Sequence, residues 1–138
     1  MGEVVVGGRA RGLTAARVER LVAGVLRAED REAELSVSFV GLATMRALNR
    51  EHKGKDRATD VLAFSLPQPG QGIVGDIYVC PAVAREQARE LGISPQLELA
   101  RLVVHGVLHV LGHDHPDGPE RERSPMWRRQ EEYLRQLA

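Results

Sequence analysis

Apolar positions along the chain switch between a period of two and a period near 3.6, and each switch marks a change between strand and helix. A valine run places a short strand near Glu3 to Val6, followed by a turn rich in glycine and arginine. Thr14 then stands where a helix N-cap would, and Val18, Leu21, Val22, Val25 and Leu26 form one apolar face of a helix over Ala15 to Ala28. Leu35, Val37 and Phe39 alternate with polar residues, the signature of a strand with one buried face. A short helix over Leu42 to Arg50, with Met45 and Leu48 inward, leads to a loop from Lys53 to Asp60.

Val61 to Phe64 and Ile73 to Val79 are apolar runs that read as strands, and the Pro67 to Gly72 stretch between them has the composition of a mobile loop. Pro81 opens a helix that runs to about Leu91 and stops at Gly92. Ser94 and Pro95 start the next as N-cap and first residue. This one carries Leu97, Leu99, Leu102, Val103, Val104, Val107, Leu108, Val110 and Leu111. A helix apolar nearly all round is a buried one. From about Pro119, charged residues interspersed with Met126, Trp127, Tyr133, Leu134 and Leu137 predict a last amphipathic helix.

Strands and helices mixed in this way give an α+β fold. The 138 residues, 43% hydrophobic, suit one domain with one core, residues 1–138. No apolar run approaches the length of a membrane span, and the N-terminus lacks a secretory signal. A lone cysteine, Cys80, cannot form an internal disulfide. These features predict a soluble, cytoplasmic protein with no membrane partner.

The chemistry concentrates at one place. Four of the five histidines fall between residues 105 and 115, in the string His105-Gly-Val-Leu-His109-Val-Leu-Gly112-His113-Asp114-His115. A helix advances about 100° per residue, so His105 and His109 share a face and can grip one ion together. Gly112 can end the helix in a left-handed conformation and turn the chain back, bringing His115 round as third ligand. A lone histidine on an apolar helix is ordinarily a hydrogen-bonded core residue; three at this spacing around a glycine predict a metal site. Three protein ligands leave one position open, the arrangement of catalytic zinc sites. His113 falls between the turn and His115, with a fourth ligand, a supporting group and a wall of the site all open to it.

The same spacing is found in the zinc-peptidase motif H-E-x-x-H-x-x-G-x-x-H, but Gly106 stands where that motif has its glutamate. That glutamate is the peptidase's general base, so peptide cleavage by this route loses its proton acceptor. The whole string resembles instead the signature of the YbeY family of bacterial rRNA-maturation endoribonucleases. Two further blocks carry the resemblance. Gly54-Lys55-Asp56-Arg57-Ala58-Thr59-Asp60-Val61-Leu62-Ala63-Phe64 is similar to the family's R-x-x-D-x-P-T-D-V-L-S-F segment, and Gly75-Asp76-Ile77 to its G-D-I strand. Lys53 replaces the usual arginine and Ala58 the usual proline. Lysine keeps the charge but loses the planar fork that grips a phosphate bidentately.

The resemblance implies a small mixed β-sheet packed with helices, with a metal cleft formed by the buried helix and the loop after it, and a single-strand-specific, metal-dependent endoribonuclease acting in rRNA processing, at the 3′ end of 16S rRNA, and in ribosome quality control. It implies one Zn2+ per chain, with Ni2+ or another transition metal as the alternative, and partners in single-stranded rRNA and the small ribosomal subunit, with no DNA. The expected ligands are His105, His109 and His115. The expected catalytic set is His105, Lys53 and Asp114, the last as a base or as acceptor of a histidine ring N–H. Asp60 and Asp76 are further acidic candidates. Lys53, Lys55 and Arg57 are the expected substrate contacts, although a solvated loop is the ordinary place for such residues.

Composition tempers the nucleic-acid reading. Lys+Arg and Asp+Glu balance at 19 each, so phosphate contacts must come from a local patch, and Arg50, Lys53, Lys55 and Arg57 supply one. With 4% aromatic residues, recognition through backbone and shape is favoured over base stacking. Two other classes stay open: a metallohydrolase or peptidase of another substrate, and a non-catalytic ribosome-assembly factor pinned by its metal.

Overall fold

The computed structural model describes residues 2–66, 70 and 72–138. Its strands are β1 (Val4–Gly7), β2 (Ala33–Phe39), β3 (Val61–Leu66) and β4 (Ile73–Val79). Its helices are α1 (Ala15–Ala28), α2 (Leu42–Lys53), α3 (Pro81–Leu91), α4 (Pro95–Val110) and α5 (Pro125–Leu137), with a 3-10 turn at Gly118–Arg123. The sheet runs β1-β2-β4-β3. β1 and β2, and β2 and β4, pair in parallel, with Val37 opposite Ile77. β3 joins the edge antiparallel to β4, with Ala63 opposite Ile77. The fold is therefore α+β, as the periodicities predict, and its sheet is mixed, as the resemblance implies.

The two faces of the sheet bury different clusters. Leu35, Val37, Phe39, Ile77 and Val79 meet α1 and α4 in the main core. Leu62, Met45 and Cys80 form a smaller cluster with Phe64 and Tyr78 on the side of α2. α4 is the central element, packed against β3, β4, α1, α3 and α5. Its unbroken apolar surface follows from having neighbours all round, and its buried set runs from Glu98 to Val110 with few gaps. Ser94 caps its first turn by accepting the Leu97 N–H at 3.1 Å.

Two glycines set how closely α4 lies on the sheet. A β-carbon at position 106 would come 2.6 Å from Ile77 Cγ2, and one at Gly75 would collide with Val110. The missing glutamate of the peptidase motif thus has a structural cause: position 106 faces β4, where only glycine fits.

Several boundaries differ from the sequence reading. α2 continues past Arg50 to Lys53 and is closed by Gly54 at φ 70°, so Lys53 ends a helix and the loop begins one residue later. The last helix begins at Pro125, not near Pro119. Ser124 caps it by accepting the Trp127 N–H at 3.2 Å; Pro119 lies in the first positions of the 3-10 turn and Pro125 in those of the helix proper. Four of the six residues of the mobile loop expected over Pro67 to Gly72 (67–69 and 71) lie outside the described residues.

Candidate metal centre

His105 and His109 project from the last two turns of α4. The helix ends in a Schellman arrangement, with Gly112 N–H on His109 C=O and His113 N–H on Leu108 C=O, both at 3.0 Å. Gly112 takes φ 102°, a left-handed value that glycine allows at little cost, and the reversal brings His115 back beside the helix. The three rings have centroids 4.9 to 5.1 Å apart, and one ligand atom from each lies within 4.8 Å of the others.

A hydrogen-bonded chain fixes the tautomer at His105. Gln130 is fully buried on α5; its amide Nε2 donates to Glu131 Oε2 at 3.1 Å, which leaves Oε1 facing His105 Nδ1 at 2.6 Å. An amide oxygen can only accept, so Nδ1 carries the proton and Nε2 keeps its lone pair for a metal. Glu131 is held by Arg101 Nε at 2.9 Å, and Arg101 also donates to Glu98 at 2.6 Å. His115 Nδ1 donates to the Pro116 carbonyl at 3.0 Å, again freeing Nε2.

Electrostatics favour neutral imidazoles. Burial pushes the His105 pKa down to about 4, against the opposing hydrogen bond to Gln130; His109, Arg121 and His115 add to the depression. His109 is lowered too, by burial first and then by the charges of His115, Lys53 and Arg121, against Asp114. Ligand nitrogens must be unprotonated, so these residues fit a transition metal in both geometry and charge state.

The triad faces a cavity of about 230 Å³ whose walls include Lys53, Asp60, Ala63 and Arg121. Lys53 reaches it from the end of α2, with Nζ 5.9 Å from the Phe64 ring centroid. Asp60 lies on the wall but is tied down, accepting the Val61 N–H at 2.7 Å and Gln87 Nε2 at 3.2 Å. Asp114 accepts the backbone N–H of His115 at 2.9 Å, so it shapes the returning turn. Asp76 sits in β4, accepting from Ser36 Oγ at 2.7 Å, away from the cavity. Lys55 and Arg57 are exposed on the loop after α2 and do not line the cavity. His113 turns from the triad and pairs with Glu29 at 2.6 Å.

Sequence reading missed Gln130 and Arg121. Gln130 carried a signal: it occupies an i+4 position from Met126 on the buried stripe that continues to Tyr133 and Leu134, and a polar residue in such a stripe needs a partner. Arg121 lies in a Pro, Gly and charge-rich run that gives no periodic cue.

The family model of endoribonuclease YbeY matches residues 9–138. The chain belongs to the YbeY endoribonuclease family. The endoribonuclease YbeY of Geobacillus thermodenitrificans is 44% identical, with the match covering 74% of this chain and 71% of the relative. That of Pelotomaculum thermopropionicum is 45% identical over 82% and 79%. A Thermotoga maritima protein solved in solution shares the fold at TM-score 0.67 and 30% identity, covering 97% of this chain and 88% of its own. Among the described residues, no helix is long and apolar enough to cross a membrane.

Seen as a YbeY domain, the two departures noted in the sequence have definite places. Lys53 stands on the cavity wall where the family's arginine is expected. Ala58 packs against the cluster of Met45, Leu62 and Cys80.

Proposed function

We propose that the chain is a metal-dependent hydrolase of phosphodiester bonds in single-stranded RNA, acting on rRNA of the small ribosomal subunit in the cytoplasm, with residues 1–138 working as one domain. The observation that carries this reading is the open triad: three histidines with ligand atoms within 4.8 Å of one another, His105 and His109 with lowered pKa values, on the wall of a cavity that also holds Lys53 and Arg121. His105, His109 and His115 would hold one Zn2+, with Ni2+ as the alternative. Such an ion supplies Lewis acidity and lowers the pKa of water towards neutrality.

The chain's own residues do the rest. Gln130 keeps the His105 ring in one tautomer and one orientation. Lys53 neutralises phosphate charge at the cavity wall, where a cation stabilises charge in the transition state. Asp114 holds the turn that presents His115, and Asp60 is the carboxylate that lines the cavity among the described residues and would take a proton. Lys55 and Arg57 extend the positive rim along the RNA backbone. A peptidase reading is disfavoured by Gly106, which faces the sheet and leaves no room for a glutamate.

The test is cleavage of a single-stranded rRNA fragment by zinc-loaded protein, beside a chelated sample, the His109→Ala variant and a peptide panel. Cutting of RNA alone, lost in both controls, is expected. An intact RNA with fully metallated protein would overturn the nuclease reading in favour of a metal-pinned assembly factor.

A further inference from the structure

Arg121 lies on the wall shared by two adjoining cavities. One is the metal cavity; the other, of about 210 Å³, has Gln87, Trp127 and Gln130 in its lining. Arg101 and Arg121 are the two half-buried arginines among the described residues; the other arginines are exposed. Arg101 is paired with Glu98 and Glu131. Arg121 enters no ion pair among the described residues, and its Nε is buried with no hydrogen-bond partner.

A buried guanidinium N–H without an acceptor is uncommon in a finished core, because the donor has lost water and gained nothing. Here the side chain is held in place nonetheless. The Arg121 carbonyl accepts from Ser124 Oγ at 2.7 Å and from Ser124 N–H at 3.2 Å, which fixes the backbone. The guanidinium lies over the Trp127 ring, 5.5 Å from its centroid, a stacking that planar arginine makes well. The result is a fork of donors, fixed from behind and unspent, whose charge is felt at both His105 and His109.

We propose that Arg121 grips a phosphate of the bound RNA strand, placing one phosphodiester between the metal cavity and its neighbour and filling the bidentate role that Lys53 cannot. This inference rests on the RNA reading above. The fork matches two phosphate oxygens at once, which fixes the strand's position as well as attracting it. Lys53, also on the wall of the metal cavity but on a flexible stem, contributes charge without that geometry. The division gives the cleft two cations of different kind, one positioning and one neutralising.

The experiment measures binding of a labelled single-stranded RNA oligonucleotide to zinc-loaded protein by fluorescence anisotropy across a salt series. Readings are taken at low temperature within the interval before cleavage that gels define for each protein, and thermal melts confirm folding. Arg121→Gln should weaken binding about tenfold and flatten the plot of log Kd against log salt by about 0.7, the value of one single-strand phosphate contact. Arg121→Lys should keep the salt slope yet bind a few-fold more weakly. Arg123→Gln, an exposed neighbour, should change the slope less than Arg121→Gln.

An Arg121→Gln protein that melts lower but keeps the wild-type slope would overturn the proposal and leave a structural stacking role. If that variant does not fold, Arg121→Lys decides: weaker binding at unchanged slope supports the grip, and wild-type binding overturns it. Wild-type protein that neither binds nor cuts RNA would remove the nuclease reading itself, an outcome distinct from wild-type activity with an indifferent Arg121.

Discussion

Behind His105 the polar groups are all spoken for; in front of it they are not. The rear chain runs His105, Gln130, Glu131, Arg101, Glu98, each joined to the next by a hydrogen bond of 3.1 Å or less. The front wall carries Lys53, over a ring, and Arg121, with a donor that has no acceptor among the described residues. Both regions border the same imidazole. A closed network in low dielectric holds geometry, since each member fixes the next. An open set of donors is poorly satisfied alone and is completed by a ligand. The rear is the frame of the site, and the front is its working surface.

The harshest way to break the front is His109→Ala. Three ligands share a binding energy on the order of 10 kcal/mol, so zinc affinity should fall at least several hundredfold, read by competition with a chromophoric chelator. The fold should persist, because His109 is only half-buried. An unchanged affinity would remove it from the ligand set.

Lowering the pH sharpens the contrast from the other side. His105 has a folded pKa of about 4, below its ordinary 6.5, so between those values the unfolded chain binds more protons. Its contribution to stability is present above pH 6.5 and is lost as the pH falls towards 4. For metal-free protein this amounts to about 3 kcal/mol by pH 4, measured from urea midpoints. His105→Asn should flatten that slope, and an equally steep slope in the variant would place its origin elsewhere.

Gln130→Leu breaks the rear alone. It fills the same space but no longer accepts the His105 Nδ1–H, so the ring is free to turn and to change tautomer. Loss of such an outer partner costs about 10–100-fold in metal affinity. A smaller loss than in His109→Ala, with the three ligands still present, is the expected ranking, and an equal or greater loss would contradict the division into frame and working surface. Gly106→Ala is the mildest change in the site's surroundings. Its added methyl presses on Ile77 and should cost about 1–3 kcal/mol of stability with zinc stoichiometry kept at one.

The parts legible in the sequence were those governed by local rules. Ser94 and Pro95 mark the start of α4, Gly112 marks its end, and four-residue spacing puts His105 and His109 on one face. Strand order was not legible, because an apolar run such as Val61 to Phe64 encodes burial without naming a partner. The antiparallel placement of β3 against β4, which brings Ala63 and Asp60 to the cavity, is a tertiary result. Lys53 was visible as a charge but not as a helix terminus, since Gly54 could have been any turn glycine. Gln130 betrayed itself only as a polar residue on a buried stripe, and its partner lies 25 residues away. Arg121 belongs to a turn without periodicity, and only the packing of Trp127 beside it reveals its place.

The central claim is an ion held by three histidines with one position open. X-ray absorption spectroscopy of the zinc-loaded protein tests it most directly. Three imidazole nitrogens at about 2.0–2.1 Å plus one oxygen is the shell this account requires. Four protein ligands, or a sulfur from Cys80, would mean a closed structural site and would contradict it.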